Sequence, residues 1–324
     1  MDRQITAALI RNGRASWRQI AEVLGQQERT VARRGNRLLA SGTVRVQSFP
    51  NPALAPVDLY MLRVSAAPPA VTGIATALAE RPETHWVSAL AGGSECVAEL
   101  SLTQDAVGPF LYRDVAGLVG VRDFSLEPIF EYYRTVSGWR PDLLSHDQYD
   151  ALAASELTQY PTRYAELGMP RLDEANVALA ELLRANGRAT IDELASGLGV
   201  SKATASRRLE ALIAGGGLYV RAILDPASIG YPIEAFLTLR TDPDALEAAG
   251  RHVADLPITR WAANVSGRIL VQVAARSLAE LRGVMEGIQG RPGMADVGLS
   301  LFAGIFKRST VAYRDGKLPP LPQG

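Results

Sequence analysis

The spacing of hydrophobic residues changes twice along the chain. Over residues 1–48 and 171–222, apolar side chains recur every three to four positions, which predicts short amphipathic helices. Over residues 55–137 and 231–313, apolar and polar residues mostly alternate, with two helical stripes in each segment. Alternation is typical of strands, in which neighbouring side chains face opposite sides of a sheet. The pattern therefore predicts a helical domain followed by an α+β domain, twice over.

Each helical segment predicts three helices. In the second segment, the middle helix stops at Gly199, a residue that can adopt the left-handed conformation of a sharp turn. The third helix begins at Ser201, a favourable N-cap. A helix, a helix, a glycine turn and a capped third helix are typical of a helix-turn-helix domain. In the first segment Gln27 is a poorer cap, and Gly35 costs its helix roughly 1 kcal/mol in propensity together with a core contact.

The α+β segments predict the strand and helix order βαββαβ of ferredoxin-like domains. The predicted strands are Val57–Ser65, His85–Ala91, Cys96–Leu102 and Val121–Pro128, then Ile233–Thr241, Ile258–Ser266, Ile269–Ala275 and Val297–Phe302. Helices are predicted around Val71–Leu78, Val107–Val115, Ala245–Asp255 and Leu278–Ile288. Because both helices cover one face of each sheet, the other face must be covered, most simply by the equivalent sheet.

The two halves also repeat in sequence. Asn12-Gly13-Arg14-Ala15 recurs as Asn186-Gly187-Arg188-Ala189, an offset of 174, and residues 9–53 match residues 183–227 at 17 of 45 positions. Unrelated segments would share only about three. We therefore predict a tandem duplication. Residues 138–170 are predicted to be a linker with a short helix over Asp147–Leu157, and residues 314–324 a flexible tail.

Composition narrows the function classes. Lys and Arg total 34 and Asp and Glu total 34, so the 324-residue chain is no polycation, although a local basic face remains possible. The sequence shows no apolar run that could span a membrane and no signal peptide. One cysteine and three histidines predict neither disulfides nor a metal site. We expect a cytoplasmic protein without catalytic residues or cofactor, in which Cys96 is an inert core residue and Trp86 and Trp261 pack in the core or between the sheets.

Basic and hydroxyl side chains cluster on the third helix of each helical segment. Arginines neutralise phosphates and read base edges, and hydroxyl groups can bind either, so these helices are candidates for the major groove of DNA. The candidate residues are Arg29, Thr30, Arg33, Arg34 and Arg37 in the first copy and Ser201, Lys202, Thr204, Ser206, Arg207 and Arg208 in the second. The first helix is the more basic and is expected to be the electrostatic anchor, while the second is the more regular.

These residues together resemble the Lrp/AsnC family of bacterial transcription regulators. The resemblance rests on Leu172-Asp173-Glu174, Asn186-Gly187-Arg188-Ala189, Glu193-Leu194-Ala195, Leu198-Gly199-Val200-Ser201, Thr204, Arg207-Arg208-Leu209, Leu212, Leu224-Asp225-Pro226 and Ile229-Gly230, with the first copy similar. It covers nearly the whole chain, twice. It implies sequence-specific binding to double-stranded DNA, self-association through the ferredoxin-like sheets, and modulation by a small molecule such as an amino acid.

The resemblance also implies where such an effector would bind. The family's site lies near the turn between the second and third strands of the ferredoxin-like domain. The matching positions are Gly92, Gly93, Ser94 and Glu95 in the first copy and Gly267 in the second, where Arg268 replaces the acidic residue that the family has shortly after the glycine. From the residues alone, an ordinary hairpin turn explains these glycines equally well.

Two other functions remain open at this point. Sirohaem decarboxylases resemble the same architecture, but they need histidines near the effector pocket, and here only His85 lies close. The chain could also be an architectural DNA binder that responds to no effector. The sequence leaves open whether the two sheet domains pair within one chain or between chains.

Overall fold

The computed structural model of the protein describes residues 1–51, 57–152, 173–314 and 318–319. It is an α+β protein in which helix-turn-helix and ferredoxin-like domains alternate, as predicted. The elements of the first copy are α1 (Asp2–Arg11), α2 (Trp17–Leu24), α3 (Glu28–Ala40), β1 (Val44–Pro50), β2 (Asp58–Ala66), α4 (Val71–Glu80), β3 (Thr84–Leu90), β4 (Glu95–Leu102), α5 (α-helical over Val107–Pro109 and π-helical over Phe110–Val115) and β5 (Val121–Arg134).

The second copy repeats this order after the short helix α6 (His146–Ala151). Its elements are α7 (Glu174–Ala185), α8 (Ile191–Leu198), α9 (Lys202–Ala214), β6 (Leu218–Leu224), β7 (Ile233–Thr241), α10 (Leu246–Asp255), β8 (Thr259–Val265), β9 (Arg268–Ala275), α11 (Leu278–Gln289), β10 (Met294–Arg308) and β11 (Val311–Ala312). The end of the predicted helix Asp147–Leu157, the rest of the predicted linker to residue 170 and most of the predicted tail lie outside the described residues.

The domains assemble by type rather than by copy. One compact unit contains both helix-turn-helix domains, within residues 1–55 and 137–229, and the other contains both ferredoxin-like domains, within residues 56–136 and 230–319. The pairing that the sequence left open therefore takes place within one chain. The duplication therefore supplies both sheet domains of the pair.

In the helix-turn-helix unit, a two-stranded ribbon joins the copies. Strands β1 and β6 pair antiparallel from Val44 opposite Leu224 to Pro50 opposite Leu218, with Gln47 opposite Arg221 at the centre. Gln47 and Arg221 are also equivalent positions of the repeat, at the offset of 174. Equivalent residues can face each other at the centre of an antiparallel pair only when a pseudo-two-fold axis passes between them. The sequence patterns did not predict either strand.

Each helix-turn-helix domain has its own hydrophobic core. That of the first copy includes Ile5, Leu9, Ile20 and Val31, all fully buried. The first part of the segment expected to be a linker belongs to it as well, because Leu144, Tyr149 and Leu152 are buried in the same cluster. Residues 138–152 thus complete a domain, which differs from the expectation for this part of the chain. The core of the second copy is built on equivalent positions, among them Leu179, Leu183, Leu194 and Ala205.

Gly35 is explained by the residue that packs on it. A Cβ atom at this position would lie 2.4 Å from the Trp17 ring. The second copy has Ile191 and Leu209 at the two equivalent positions. A large residue on α2 with a small one on α3 in the first copy therefore replaces two medium-sized residues in the second. The core contact expected to be missing at Gly35 is supplied by Trp17.

In the other unit, eight strands close into a ring of hydrogen-bonded neighbours. The order is β2, β5, β8, β9, β7, β10, β3 and β4, after which β4 pairs with β2 again. The ring is reciprocal, because β5 of the first copy pairs with β8 of the second and β10 of the second copy pairs with β3 of the first. Closure of a sheet leaves these eight strands without a free edge.

The two sheet faces meet through aromatic side chains. Trp86 stacks on Phe236 of the other copy, with ring centroids 5.9 Å apart, and also contacts Phe302 at 5.3 Å. The equivalent Trp261 meets the edge of Tyr132 at 5.8 Å. Both tryptophans are buried. The predicted packing of Trp86 and Trp261 in the core or at the sheet interface, and the covering of one sheet by the other, are confirmed.

Strands β5 and β10 are longer than predicted. The sequence patterns predict that they end at Pro128 and Phe302, whereas they continue to Arg134 and Arg308. The first half of β5 pairs with β2 of its own copy, up to Pro128 opposite Tyr60, and the second half continues onto β8 from Ile129. Strand β10 changes partner in the same way, from β7 to β3, at residues 301–302. The extensions were missed because they are held by a partner domain that local alternation cannot indicate.

A buried ion cluster fixes the end of β10. Arg308 donates to both carboxylate oxygens of Glu234, at 3.0 and 2.8 Å, and Arg260 donates to the same carboxylate at 2.9 Å. Burial alone would raise the pKa of Glu234, but the two guanidinium groups outweigh it and hold the pKa below its usual range. A carboxylate paired in this way is expensive to leave unpartnered, so it strongly favours this strand arrangement.

Candidate nucleic-acid interface

Each candidate recognition helix follows the glycine turn that the sequence predicts. Gly25 and Gly199 both adopt left-handed backbone, with φ of 62° and 64°, and end α2 and α8. Ser201 is the N-cap of α9, and its Oγ accepts from the backbone N–H of Thr204 at 3.2 Å. Gln27 is the N-cap of α3 and makes no side-chain hydrogen bond there. The different start of the two helices is therefore confirmed.

The repeated arginine pairs divide into two roles. The first member of each pair, Arg33 or Arg207, is exposed and makes no hydrogen bond or ion pair within residues 1–51, 57–152 and 173–314. Arg29 on α3 is also exposed and makes no such contact within these ranges. We call a guanidinium group of this kind uncommitted. These three guanidinium groups are available to phosphates or base edges without breaking an existing contact.

The second member of each pair fastens its helix to the first helix of the domain. Arg34 donates to Asp2 at 2.8 Å, and Arg37 reaches the other oxygen of the same carboxylate at 2.7 Å. In the second copy, Arg208 binds Asp173 at 3.1 Å and the side-chain oxygen of Asn176 at 3.2 Å. These predicted contact residues therefore hold α3 and α9 in place.

The arginine partners lower the pKa values of the two aspartates in these contacts. The hydrogen bond from Arg34 is the main reason why the pKa of Asp2 lies below its ordinary value, although burial opposes it. The pKa of Asp173 is lowered first by the backbone N–H of Asn176 and then by the hydrogen bond from Arg208. Both contacts are partly exposed, so each contributes modestly to stability.

The remaining candidates on α9 have partners inside the protein. Lys202 pairs with Asp192 of α8 at 2.7 Å, and Ser206 Oγ donates to Glu210 at 2.7 Å. The hydroxyl groups of Ser201 and Thr204 lie 3.0 Å apart. Thr30, the equivalent of Thr204 on α3, is half-buried. Three of the seven candidate cations, Arg29, Arg33 and Arg207, are thus uncommitted, and the other four are paired.

The repeated Asn-Gly-Arg-Ala motif makes a contact between the two copies that the sequence patterns did not predict. Arg14 donates to the carbonyl oxygens of Gly187 and Ala189, at 2.6 and 3.0 Å. Arg188 returns the contact to Gly13 and Ala15, at 2.7 and 2.9 Å. Each motif therefore clamps the other copy. The signal was present, because this stretch is the longest run of identical residues in the aligned copies, but it served only to reveal the duplication.

Close packing supports the clamp. The Arg188 guanidinium lies over the Trp17 ring, 4.1 Å from its centroid. Burial lowers the pKa of Arg188 to about 10. Gly187 donates its N–H to the Val46 carbonyl at 2.9 Å, and a Cβ on Gly187 would lie 2.8 Å from the β1 backbone. The glycine of the motif is therefore required where the copies meet, and the two candidate recognition helices belong to one compact unit.

The candidate effector residues lie in two equivalent hairpins of the other unit. Residues 91–94 form the turn between β3 and β4, with Gly92 and Ser94 at positive φ, and Ser266 and Gly267 form the turn between β8 and β9. The structure thus brings Gly92, Gly93, Ser94 and Glu95 together in one hairpin and places Gly267 in the other. Positive φ is what tight hairpins require, so the glycines have a structural reason as well.

Charged side chains flank both hairpins. Glu95 pairs with Arg63 at 3.1 Å and remains partly exposed. In the second copy, Arg268 contacts Glu127. His85, the histidine weighed for tetrapyrrole chemistry, shares a hydrogen bond of 3.0 Å with Ser101 through its Nε2 atom. Cys96 is buried in the core, as predicted, and burial raises its pKa to about 12.

Two features that would indicate other functions are absent from the described residues. No group of three or more His, Cys, Asp or Glu side chains in the described ranges is arranged to hold a metal ion. Among the helices in that part of the chain, none has the length and apolar character needed to cross a membrane.

Known protein families match both helical domains. Residues 1–39 match the AsnC-type helix-turn-helix domain, and residues 172–216 match a winged helix-turn-helix DNA-binding family. An uncharacterized HTH-type transcriptional regulator of Pyrococcus abyssi is 28% identical over 149 residues, which are 45% of this chain and 94% of that protein. A similar regulator of Pyrococcus horikoshii is 26% identical over 140 residues, 42% of this chain and 89% of its own. These relatives correspond to one half of the duplication.

A solved structure resembles the chain over nearly its whole length. The siroheme decarboxylase NirDL, in complex with an iron-uroporphyrin III analogue, superposes with a TM-score of 0.60 and covers 92% of this chain and 88% of its own. Only 13% of the residues are identical. Identity at this level shows a common fold and nothing of the chemistry.

Proposed function

The chain belongs to the Lrp/AsnC family of helix-turn-helix regulators, and from this premise we propose that it recognises specific DNA sequences as the single-chain counterpart of a regulator dimer. Two helix-turn-helix domains joined about a pseudo-two-fold axis match the organisation with which such dimers read two half-sites. The pseudo-dimer differs in one respect, since its two halves are unlike in sequence.

The observation that carries this proposal is the placement of Arg33 and Arg207. These equivalent residues lie on α3 and α9, after the same glycine turn, and both are exposed and uncommitted among the described residues. A guanidinium group in this position can bind a phosphate or a guanine edge when the helix enters the major groove. Arg34 and Arg208 support the proposal indirectly, because they hold the helices in position.

Binding selection with the full chain tests the proposal. Sequences bound from a random DNA pool are cloned, and their affinity is measured by fluorescence anisotropy over a series of salt concentrations. The double variant Arg33→Ala/Arg207→Ala should bind more weakly and reduce the slope of log K against log salt by about 1.8, since each phosphate contact releases ~0.9 counterion. The variant Arg184→Ala removes an exposed arginine paired with Glu181 and serves as the control. Failure to enrich any sequence, or unchanged binding by the double variant, would contradict the proposal.

We further propose that a small molecule, of which an amino acid is the leading candidate, binds beside the hairpin that contains Glu95. The support is the family membership, together with a partly exposed carboxylate next to a turn with positive φ. Thermal shifts against the twenty amino acids test this idea. A shift that Glu95→Ala abolishes and Glu80→Ala preserves supports it. No shift, with DNA binding intact, would instead favour an architectural DNA binder that responds to no effector.

Tetrapyrrole binding is a second candidate, favoured by the likeness of fold to a sirohaem decarboxylase over almost the entire chain. His85 is the histidine nearest to the candidate hairpins in sequence, and its Nε2 atom is already engaged by Ser101. Adding sirohaem to the purified protein and recording the absorption spectrum decides this point. A stoichiometric complex with a shifted Soret band would favour an enzyme-like function. An unchanged spectrum would argue against tetrapyrrole binding and leave DNA binding as the remaining candidate function.

A further inference from the structure

The two helix-turn-helix domains differ greatly in charge. Residues 2–40 contain eight arginines and three carboxylates, a net charge of +5, whereas residues 174–214 contain five cations and five carboxylates, a net charge of 0. The whole chain also has no net charge. Residues 138–152, which complete the first domain, add one arginine and three aspartates and lower its net charge to +3. Positive charge is therefore still concentrated in the first domain, within residues 2–40. Since phosphate neutralisation supplies most non-specific DNA affinity, the two domains are not equivalent as DNA ligands.

Equivalent positions show how the difference arises. Arg18 on α2 corresponds to Asp192 on α8, so this position carries opposite charges in the two copies. Arg18 pairs with Glu22, which leaves α2 without net charge, whereas α8 contains Asp192 and Glu193 and no cation. Asp192 binds Lys202 at 2.7 Å, which offsets the cation closest to the start of α9. Arg29 on α3 corresponds to Ala203 on α9. Helix α3 thus presents two uncommitted arginines, Arg29 and Arg33, where α9 presents Arg207 alone.

The polar groups of α9 are also more committed than those of α3. Ser206 donates to Glu210, and Ser201 caps the helix. The positions equivalent to Ser206 and Glu210 in α3 are Ala32 and Asn36, which carry no charge. A carboxylate on the exposed side of a helix repels phosphates at short range. Glu210 and Asp192 therefore oppose the approach of α9 to a DNA backbone.

The two helices nevertheless approach DNA as one body. The β1–β6 ribbon and the reciprocal contacts of Arg14 and Arg188 join the domains about the pseudo-two-fold axis. A domain that binds DNA strongly and a domain that binds it weakly, held in a fixed arrangement, can occupy an asymmetric site in only one orientation. Once the first domain is bound, the second is held close to the duplex, and its few contacts act at high effective concentration.

We propose that this protein binds an asymmetric operator in which the half-site under α3 supplies most of the affinity and the half-site under α9 sets the orientation. This inference rests on the proposed function, and it concerns how the work is divided between the domains. The expected ligand is duplex DNA with two unlike half-sites, about one helical turn apart or a multiple of that distance. A symmetric dimer of one-copy relatives would instead read two equal half-sites.

The test compares equivalent single variants on the selected operator. Arg33→Ala should weaken binding at least tenfold, and Arg207→Ala about threefold or less. Scrambling one half-site should reproduce the large loss and scrambling the other the small one. The assignment of half-sites comes from an iron chelate attached to a cysteine at Gln26→Cys or at the equivalent Val200→Cys. Cys96 is buried, so the attached chelate is the only one in the native protein.

A gain of binding provides a check that does not depend on loss of folding. Asp192→Arg places in the second copy the residue found at position 18 in the first and releases Lys202. It should tighten binding and steepen the salt slope by up to about 1.8. Equal losses for Arg33→Ala and Arg207→Ala, or equal effects of scrambling each half-site, would overturn the inference while leaving DNA binding intact. Absence of binding to any DNA would overturn the proposed function as well.

Discussion

The reciprocal arginine clamp yields a prediction whose size follows from the structure. Replacement of Arg188 by alanine removes the charged donors that bind the carbonyl oxygens of Gly13 and Ala15, at 2.7 and 2.9 Å, and the guanidinium group over Trp17. Hydrogen bonds from a charged donor contribute about 1.5–3 kcal/mol each. The contact with the indole ring adds roughly 0.5–1 kcal/mol.

The cost of burying the Arg188 charge partly offsets the stability lost in Arg188→Ala. Burial lowers the pKa of Arg188 to about 10, so the folded protein already bears a cost for holding the charge away from water, and alanine relieves that cost. After this offset we expect Arg188→Ala to destabilise the joined helix-turn-helix unit by about 2–4 kcal/mol. Arg14 makes the same contacts from the other side, and its replacement should have an effect of similar size.

Hydrogen exchange followed by mass spectrometry measures the effect where it acts. Peptides that cover β1 and β6 report the opening of the ribbon between the copies. A loss of about 2–4 kcal/mol corresponds to exchange that is about 30- to 900-fold faster. Peptides from β2 to β4 should change little, since these strands belong to the other compact unit.

Arg184→Ala is the matched control, because Arg184 also lies in this unit but pairs with Glu181 on an exposed helix surface. Such pairs contribute about 0–1 kcal/mol. If Arg188→Ala changed exchange in β1 and β6 no more than Arg184→Ala does, the clamp would not hold the two domains together.

Two further predictions concern packing and burial. Gly35→Leu should destabilise the protein, since even a Cβ there meets the Trp17 ring at 2.4 Å. Adding Trp17→Ile creates the Ile191–Leu209 pair of the second copy and should recover most of the loss, except for the roughly 0.5–1 kcal/mol of the contact between Arg188 and Trp17. Urea unfolding of the single and double variants checks this, and additive losses would contradict it. Burial lowers the pKa of Lys307 from 10.5 to about 8. Between these two pH values the unfolded state binds more protons than the folded state, so the free energy of unfolding should rise with pH relative to Lys307→Met, by at most ~1.4 kcal/mol per pH unit. Parallel curves of unfolding free energy against pH for the two proteins would refute the shift.

Local signals in the sequence were sufficient to place the helix-turn-helix domains. The left-handed Gly199 and the cap at Ser201 act within a few residues of each other, and the structure has both as predicted. Gly25 adopts the same conformation at the equivalent position of the first copy. The strand order of the ferredoxin-like domains was likewise available, because alternation reports which face of a strand is buried. For the same reason the predicted strand Ile233–Thr241 agrees with β7 at both ends.

Longer-range contacts determined the rest. Strands β1 and β6 were not predicted, because each is stabilised by the other across the repeat rather than by its own pattern. Arg33 and Arg34 look alike in the sequence, yet one is exposed and the other is bound to Asp2, 32 residues away. Nothing in the local spacing distinguishes an arginine that faces DNA from one that fastens two helices together.

The sequence by itself therefore determined the duplicated plan of the protein, the glycine turns and the excess of arginine in the first copy, since composition, periodicity and backbone preference are properties of short segments. Only the tertiary structure decided that the two copies pair within one chain, that Asn-Gly-Arg-Ala forms the clamp between them and that three of the seven candidate cations are uncommitted. These features depend on which residues meet across as many as 175 positions, as the Arg14 side chain and the Ala189 carbonyl do, and that is settled by the packing of whole domains.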